Sequence, residues 1–328
     1  MCDVVSRSKL PWSNNTNMVR LNVFYGLLLL SLWFVIAIIQ PLHAESCSIG
    51  NYRIENVEKK IGIALVIGNS KYQSRILKYP VKDAVAIAHV LKDIGFSVAS
   101  FQELKTKGEF NSITRSFKDC LKISNNLVAF FYYSGHGTYL VDEKANFLIP
   151  IYDVDIQDRA DVESDSFSVK KLFSRLKEAD NKINIVILDA CRKHPHLNFS
   201  KGLGDMQRFY DLILAYPTKY GKTIAPIAHP KNSLYVKHFI KELKSAYKNG
   251  IEVKDFLDKI SNQVQEKSGK RQYPIVRPLR KTFFCWGKPC PGEGLDNNLD
   301  ARVEDEGDIV IENRSGKSKP RRGFRGGH

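Results

Sequence analysis

No G-x-G-x-x-G turn follows the first apolar run of this 328-residue chain, no EF-hand loop occurs in it, and no segment repeats. These absences remove the usual sequence basis for a dinucleotide-binding domain, an EF-hand calcium protein or a solenoid. Arginine-rich reading helices and basic–aromatic repeats are missing as well. Acids are scarce: 35 Asp and Glu stand against 50 Lys and Arg, for a formal charge of +15. Such an excess can serve nucleic acid or an anionic surface. Here the basic residues are scattered over helix faces, with one cluster in KSKPRRGFR near the C-terminus. A solvated basic surface is therefore the expectation, and nucleic acid is not an expected partner. Cysteine is sparse too. Cys2 would leave with an N-terminal leader, and Cys47, Cys120, Cys191, Cys285 and Cys290 remain, an odd set that leaves at least one thiol unpaired. Cys285 and Cys290 lie close enough to bridge around a turn. Cys120 reads as a core residue of an amphipathic helix. Cys191 needs a separate explanation.

What the chain does have begins with MVRLNVFYGLLLLSLWFVIAIIQPLHAES, in which Arg20 precedes an apolar run from Leu21 to about Ile39. A basic start, an apolar stretch and a small residue at its end describe a secretory signal, cut after Ala44 or after Ser46. The run is also just long enough to cross a bilayer, so an uncleaved anchor stays open. Residues 1–17 fit neither role, and Met18 is an alternative start. The chain is expected to be exported, periplasmic or secreted, or held at a membrane by this segment. Residues 1–44 are assigned to the leader or anchor and 55–287 to one main domain. Residues 288–328 are assigned to a charged, Gly-rich, disordered tail with little to bury.

Within the main domain, IGIALVIGN (61–69), FSVASF (96–101), NLVAFFYYSG (126–135) and KINIVILDAC (182–191) are short strand-like runs, and most are apolar throughout. That is the mark of strands covered on both faces. ANFLIPI (145–151), DLILAYP (211–217) and IVRPLRKTFFCW (275–286) add further strands. Between them, 81–95, 107–123, 166–180, 232–248 and 251–268 have apolar residues at helical spacing. Strands alternating with helices predict an α/β domain with a mostly parallel sheet between two helical layers.

In such a sheet, ligands sit beyond the carboxyl ends of the strands. One strand ends in Ser134-Gly135-His136-Gly137 and another in Asp189-Ala190-Cys191, with Cys191 55 positions after His136. If the strands are neighbours, an imidazole and a thiol emerge on one rim. A thiol is mostly protonated at neutral pH, and a nearby imidazole can take its proton or stabilise the thiolate. Acyl transfer also needs N–H donors where the carbonyl oxygen becomes negative. The N–H groups of Gly137 and Cys191 are the candidates, and the glycines beside His136 are expected to leave room for a peptide bond. Each residue has a plainer reading, His136 as a polar strand end and Cys191 as a small hydrophobe. Their occurrence together at matched strand ends favours chemistry.

At these residues the sequence resembles the caspase-like cysteine peptidases: caspases, metacaspases and paracaspases. Caspases carry Q-A-C-[RQG]-G with a His about 50 residues upstream; this chain has DACRK, and YSGHG matches the histidine motif. ALVIGNSKY (64–72) resembles the first strand and turn, and LKYPVKDAVAIAHVLKDIGF (77–96) the first helix. DACRKHP is nearer the paracaspase and bacterial caspase-like form than the metacaspase DSCHSG. The resemblance implies a three-layer α/β/α caspase-like fold, a His136–Cys191 dyad and hydrolysis of peptide bonds without a cofactor or metal. Where caspases carry Gln, this chain has Asp189. The resemblance implies a primary pocket for substrate Arg or Lys, formed by Asp189 and Asp83 and lined by Ser134. Two carboxylates in a partly dry pocket repel each other, and a cation relieves the repulsion. Protein or peptide substrates with Arg or Lys at the cleaved bond are the expected partners, with membrane association through the N-terminal segment. Asp83 also fits a simple helix-start acid. Lys201 and Arg208 are possible self-cleavage sites. The competing readings are a non-catalytic scaffold that keeps the fold and a peptidase of the legumain or gingipain kind.

Overall fold

The structure, a computed structural model, describes residues 45–73, 76–140, 143–152, 156–191, 203, 212–218, 231–277 and 284–290. Residues 1–44 and 291–328, Lys201 and Arg208 lie outside the described residues, as does the side chain of Cys191.

The apolar runs form the sheet expected of them. Strands β3 (Gly62–Gly68), β4 (Ser97–Gln102), β5 (Val128–Leu140), β8 (Ile183–Cys191) and β9 (Leu212–Tyr216) pair in parallel in the order β9-β8-β5-β3-β4. Strand β10 (Ile275–Arg277) adds antiparallel to β9 at one edge. Each parallel crossover carries a helix or a longer excursion, as parallel pairing requires. Ahead of the sheet, the hairpin of β1 (Cys47–Ile49) and β2 (Tyr52–Ile54) lies beside β4, with Tyr52 donating to Ser100 O at 2.5 Å. A Cys47–Cys120 disulfide ties this hairpin to the helix that contains Cys120.

Side-chain alternation along the strands splits the core in two. Ala129, Phe131 and Tyr133 of β5 face one helical layer, α2 (Lys107–Leu121) and α4 (Val169–Ala179). Val128, Phe130 and Tyr132 face the other, α1 (Pro80–Asp93), α5 (Leu234–Asn249) and α6 (Val253–Lys267). The domain is a three-layer α/β/α fold with a mostly parallel central sheet. Fully buried Phe117, Phe130, Phe131, Phe239 and Phe256 are among its largest core residues; each contributes on the order of 2–3 kcal/mol by burial.

The helices begin where local chemistry lets them. Thr106 and Glu109 form a capping box for α2, and Ser233 caps α5 by accepting from Val236 N–H at 3.3 Å. Helix α1 has Pro80 in its first turn and no cap from Tyr79; the hydroxyl of Ser70 accepts from Val81 N–H at 3.1 Å instead. One short helix, α3 (Arg159–Asp165), was not expected, and the acids of its entry segment have a structural use. Asp158 and Asp161 cap it reciprocally.

Strand β5 runs beyond the expected end at Gly135. Its last residues, Gly137–Leu140, pair antiparallel with β6 (Ala145–Leu148), which in turn pairs with β7 (Phe167–Ser168). The His motif therefore lies inside a long strand at the point where its partner changes.

Candidate active site

Strands β5 and β8 are parallel neighbours, and their register pairs Ser134 with Asp189, Gly135 with Ala190 and His136 with Cys191. Adjacent strands lie about 4.8 Å apart, so the backbones of the proposed base and nucleophile are side by side. His136 is 2% exposed and Ser134 and Asp189 4% each.

The backbone of His136 is held by two tyrosines. Its N–H donates to the Tyr72 hydroxyl at 2.7 Å, and its carbonyl accepts from the Tyr133 hydroxyl at 2.6 Å and from Ile149 N–H at 3.0 Å. The N–H and C=O of His136 both point to the β6 edge. Strand alternation then turns the Gly137 N–H to the opposite edge, beyond the end of β8.

On the side where a β-carbon would sit, the glycines beside His136 are closely packed by the protein. A β-carbon at Gly135 would collide with the Tyr72 hydroxyl and lie 2.7 Å from that of Tyr133. At Gly137 it would lie 3.0 Å from both Ala190 Cβ and Leu203 Cδ2. The space without side chains is filled by the protein itself.

Beside this position lie two buried acids, Asp83 and Asp189. Tyr132, Ser134 and His136 share one face of β5 by period two. The Tyr132 hydroxyl donates to Asp189 Oδ2 at 3.1 Å and is also hydrogen-bonded to the Ser134 side chain. Burial first, then the negative charges of Asp189 and Asp83, raise the Tyr132 phenol well above its ordinary range, so both acids lie near it. Burial and the charge of Asp189 raise Tyr235, at the start of α5, in the same direction.

Asp83 reaches this place because α1 starts hard against β3. A β-carbon at Gly68 would lie 2.6 Å from Pro80 O and 2.7 Å from Ala84 Cβ, so only glycine admits the helix. Asp83 is fully buried. Its Oδ1 accepts from Asn232 Nδ2 and from Ser233 N–H, each at 3.0 Å, while Oδ2 has no hydrogen-bond partner among the described residues. Burial outweighs these bonds and pushes its pKa up from 3.8 to about 6.

The structure thus brings together Asp83, Ser134, Asp189, His136, Gly137 and the backbone of Cys191. Sequence reasoning missed Tyr72, Tyr132, Tyr133, Asn232, Ser233 and Tyr235. The adjacent tyrosines in FYYSGHG were visible as polar tips on a buried strand, but nothing showed what their hydroxyls met. Among the described residues no group of three or more His, Cys, Asp or Glu could hold a metal ion.

Comparison with known proteins gives the family of the chain. The mouse (Mus musculus) homolog of mucosa-associated lymphoid tissue lymphoma translocation protein 1 is 24% identical over 72% of this chain. The human (Homo sapiens) protein of that name is 25% identical over 55%. The matches span only 28% and 21% of those two proteins' own lengths. Among solved structures, pro-sf-caspase-1 is 14% identical with a TM-score of 0.49, over 67% of this chain and 92% of its own. Caspase-1 from Spodoptera frugiperda has the same identity and TM-score over 68% of this chain and 91% of its own. A family model described as the caspase domain matches residues 61–284, from the start of β3 to the segment after β10, and so takes in every residue of the site. The chain belongs to the caspase-domain family of cysteine peptidases.

Proposed function

We propose that this protein is a cysteine endopeptidase that hydrolyses peptide bonds after Arg or Lys through a Cys191–His136 dyad. The observation that carries the reading is the pair of buried carboxylates, Asp83 and Asp189, gathered about Tyr132 on the same rim as His136. Ionised acids in a dry pocket are costly unless paired. Asp83 has a carboxylate oxygen without a partner among the described residues, and a substrate guanidinium or ammonium would supply one. A substrate Asp would add a third like charge.

In the proposed cycle the substrate cation docks on Asp83 and Asp189 with Ser134 alongside. The Cys191 thiolate attacks the carbonyl carbon, and the N–H groups of Gly137 and Cys191 hold the oxyanion. The amine leaves with a proton from His136. Water, deprotonated by His136, then attacks the acyl-enzyme and releases the acid with Cys191 restored. No step calls on a metal or cofactor.

We further propose that the protein works outside the cytosol. Two disulfides, Cys47–Cys120 and Cys285–Cys290, fit an oxidising compartment. N-terminal sequencing of protein from the native host distinguishes a cleaved leader, with a mature end near residue 45, from a retained anchor.

The deciding experiment is a peptide panel with Arg, Lys or Asp before the scissile bond, run on wild type and on Cys191→Ala. Turnover of the Arg and Lys peptides by wild type alone is expected. Turnover of the Asp peptide only would remove the pocket assignment. Equal turnover by Cys191→Ala would remove the enzyme and favour a scaffold role for the fold.

A further inference from the structure

Strand β5 changes partners at His136. The β3 ladder ends with Gly68 opposite Ser134, and the β6 ladder starts with Gly137 opposite Leu148. His136 falls in the gap, and its N–H donates to the Tyr72 hydroxyl rather than to a strand carbonyl. We infer that Tyr72, acting together with Tyr133, is the positioning residue for the His136 imidazole. This inference rests on the reading of His136 as the dyad base.

Three bonds close a ring. His136 N–H donates to Tyr72 Oη at 2.7 Å, the two hydroxyls meet at 3.0 Å, and Tyr133 O–H donates to His136 O at 2.6 Å. With the Tyr72 proton directed at Tyr133 Oη, each hydroxyl proton is used once and both backbone groups of His136 are satisfied. Ile149 O, 3.2 Å from Tyr72 Oη and 3.1 Å from Tyr133 Oη, offers a second acceptor to both. Such a closed network in a dry site admits one arrangement of the backbone. Tyr72 also limits the side chain directly: its ring centroid is 4.2 Å from that of the imidazole, with the planes tilted by 54°. One residue therefore fixes the His136 main chain and covers part of its ring.

Tyr72 is itself held from behind. Ser70 N–H and Lys71 N–H each donate to Glu103 Oε2 at 3.0 Å, and Gln73 N–H donates to Ile151 O at 3.2 Å. Ser70 also caps α1, the helix that carries Asp83. The loop after β3 thus joins the holder of the base to the holder of the pocket acid.

The test uses the full chain as wild type, Tyr72→Phe, Tyr133→Phe and Tyr132→Phe. Arg-peptide hydrolysis is measured, together with the imidazole 15N resonances of His136, assigned by their loss in His136→Gln. Tyr72→Phe is expected to lower kcat by about 10- to 100-fold, the usual consequence of a misplaced reacting group. Its KM should stay within about twofold of wild type, because substrate binding does not use this hydroxyl. The His136 resonances should be displaced or broadened. Tyr132→Phe should instead raise KM and leave those resonances in place, because its hydroxyl serves Asp189. If Tyr72→Phe does not fold, Tyr133→Phe breaks the same ring and is read the same way. Wild-type kcat and unchanged His136 resonances in a folded ring variant overturn the inference. If wild type cleaves no peptide, the proposed function fails, and the resonances alone decide: displaced signals support the positioning role and unmoved ones refute it.

Discussion

Replacing Asp83 with Asn separates two accounts of one buried acid by the sign of its effect. As a helix-start acid, Asp83 would favour α1 by about 0.3–1 kcal/mol, and its loss would destabilise the fold. As a pocket acid kept for a cation, it is a burden on the unliganded protein. Burial raises its pKa from 3.8 to about 6 against the opposing hydrogen bonds of Asn232 and Ser233. The unfolded chain loses this proton near 3.8, whereas the folded chain keeps it to about 6. Stability therefore falls as pH rises through that window, and the full cost is present above about 6. At about 1.36 kcal/mol per pH unit, the cost at neutral pH is on the order of 3 kcal/mol.

Asn can keep the contacts without the charge, since its amide oxygen can accept from Asn232 Nδ2 and Ser233 N–H as Oδ1 now does. Urea unfolding of both proteins is expected to show Asp83→Asn more stable at pH 7 by roughly 2–3 kcal/mol, with the gap closing at about pH 4 and below. The same variant should lose about 10- to 100-fold in kcat/KM for an Arg peptide, the usual value of a charged hydrogen bond. Its turnover of a neutral peptide should hold. A variant less stable than wild type at pH 7, or one with its Arg preference intact, refutes the pocket account.

In the wild type, KM for Arg peptides should rise as pH falls through about 6, because protonated Asp83 no longer offers a charge to the substrate; a flat KM down to pH 5 contradicts this. Cys47→Ser combined with Cys120→Ser opens a cross-link spanning 73 residues. Chain entropy puts the loss near 4 kcal/mol, readable as a lower urea midpoint that reductant reproduces in wild type. Gly68→Ala forces Pro80 and Ala84 away from the end of β3. A loss of about 1–3 kcal/mol and a higher KM are expected, since α1 carries Asp83 outward; unchanged KM in a destabilised variant would uncouple the helix from the pocket.

The sheet was legible because runs such as IGIALVIGN (61–69) and NLVAFFYYSG (126–135) have no polar alternation, a pattern that covered parallel strands produce. Helix α3 was not: of its seven residues only Val162 is buried, so no apolar period marks it. The Cys285–Cys290 bridge was readable as a local closure. Cys47–Cys120 was not, because its separation of 73 positions is closed only by the packing of the hairpin against α2. Cys120 is 1% exposed, and a core thiol and a buried disulfide leave the same helical pattern. The approach of Asp83 to Asp189 came from family resemblance alone. No spacing rule relates the first turn of α1 to the end of β8.

The two tyrosines before the His motif show why the remainder needed coordinates. Tyr132 and Tyr133 are adjacent and chemically identical, and both are fully buried. Period two sends them to opposite faces of β5, so one hydroxyl meets Asp189 and the other the carbonyl of His136. A slip of one residue in the register of β5 would exchange them. The tyrosine on the Asp189 face would pass to the backbone clamp, and Ser134 and His136 would turn with it to the opposite layer. The pairs Gly68–Ser134 and His136–Cys191 therefore fix which face each polar tip takes: through them the ladders with β3 and β8 set one tyrosine toward Asp189 and the other toward the His136 carbonyl.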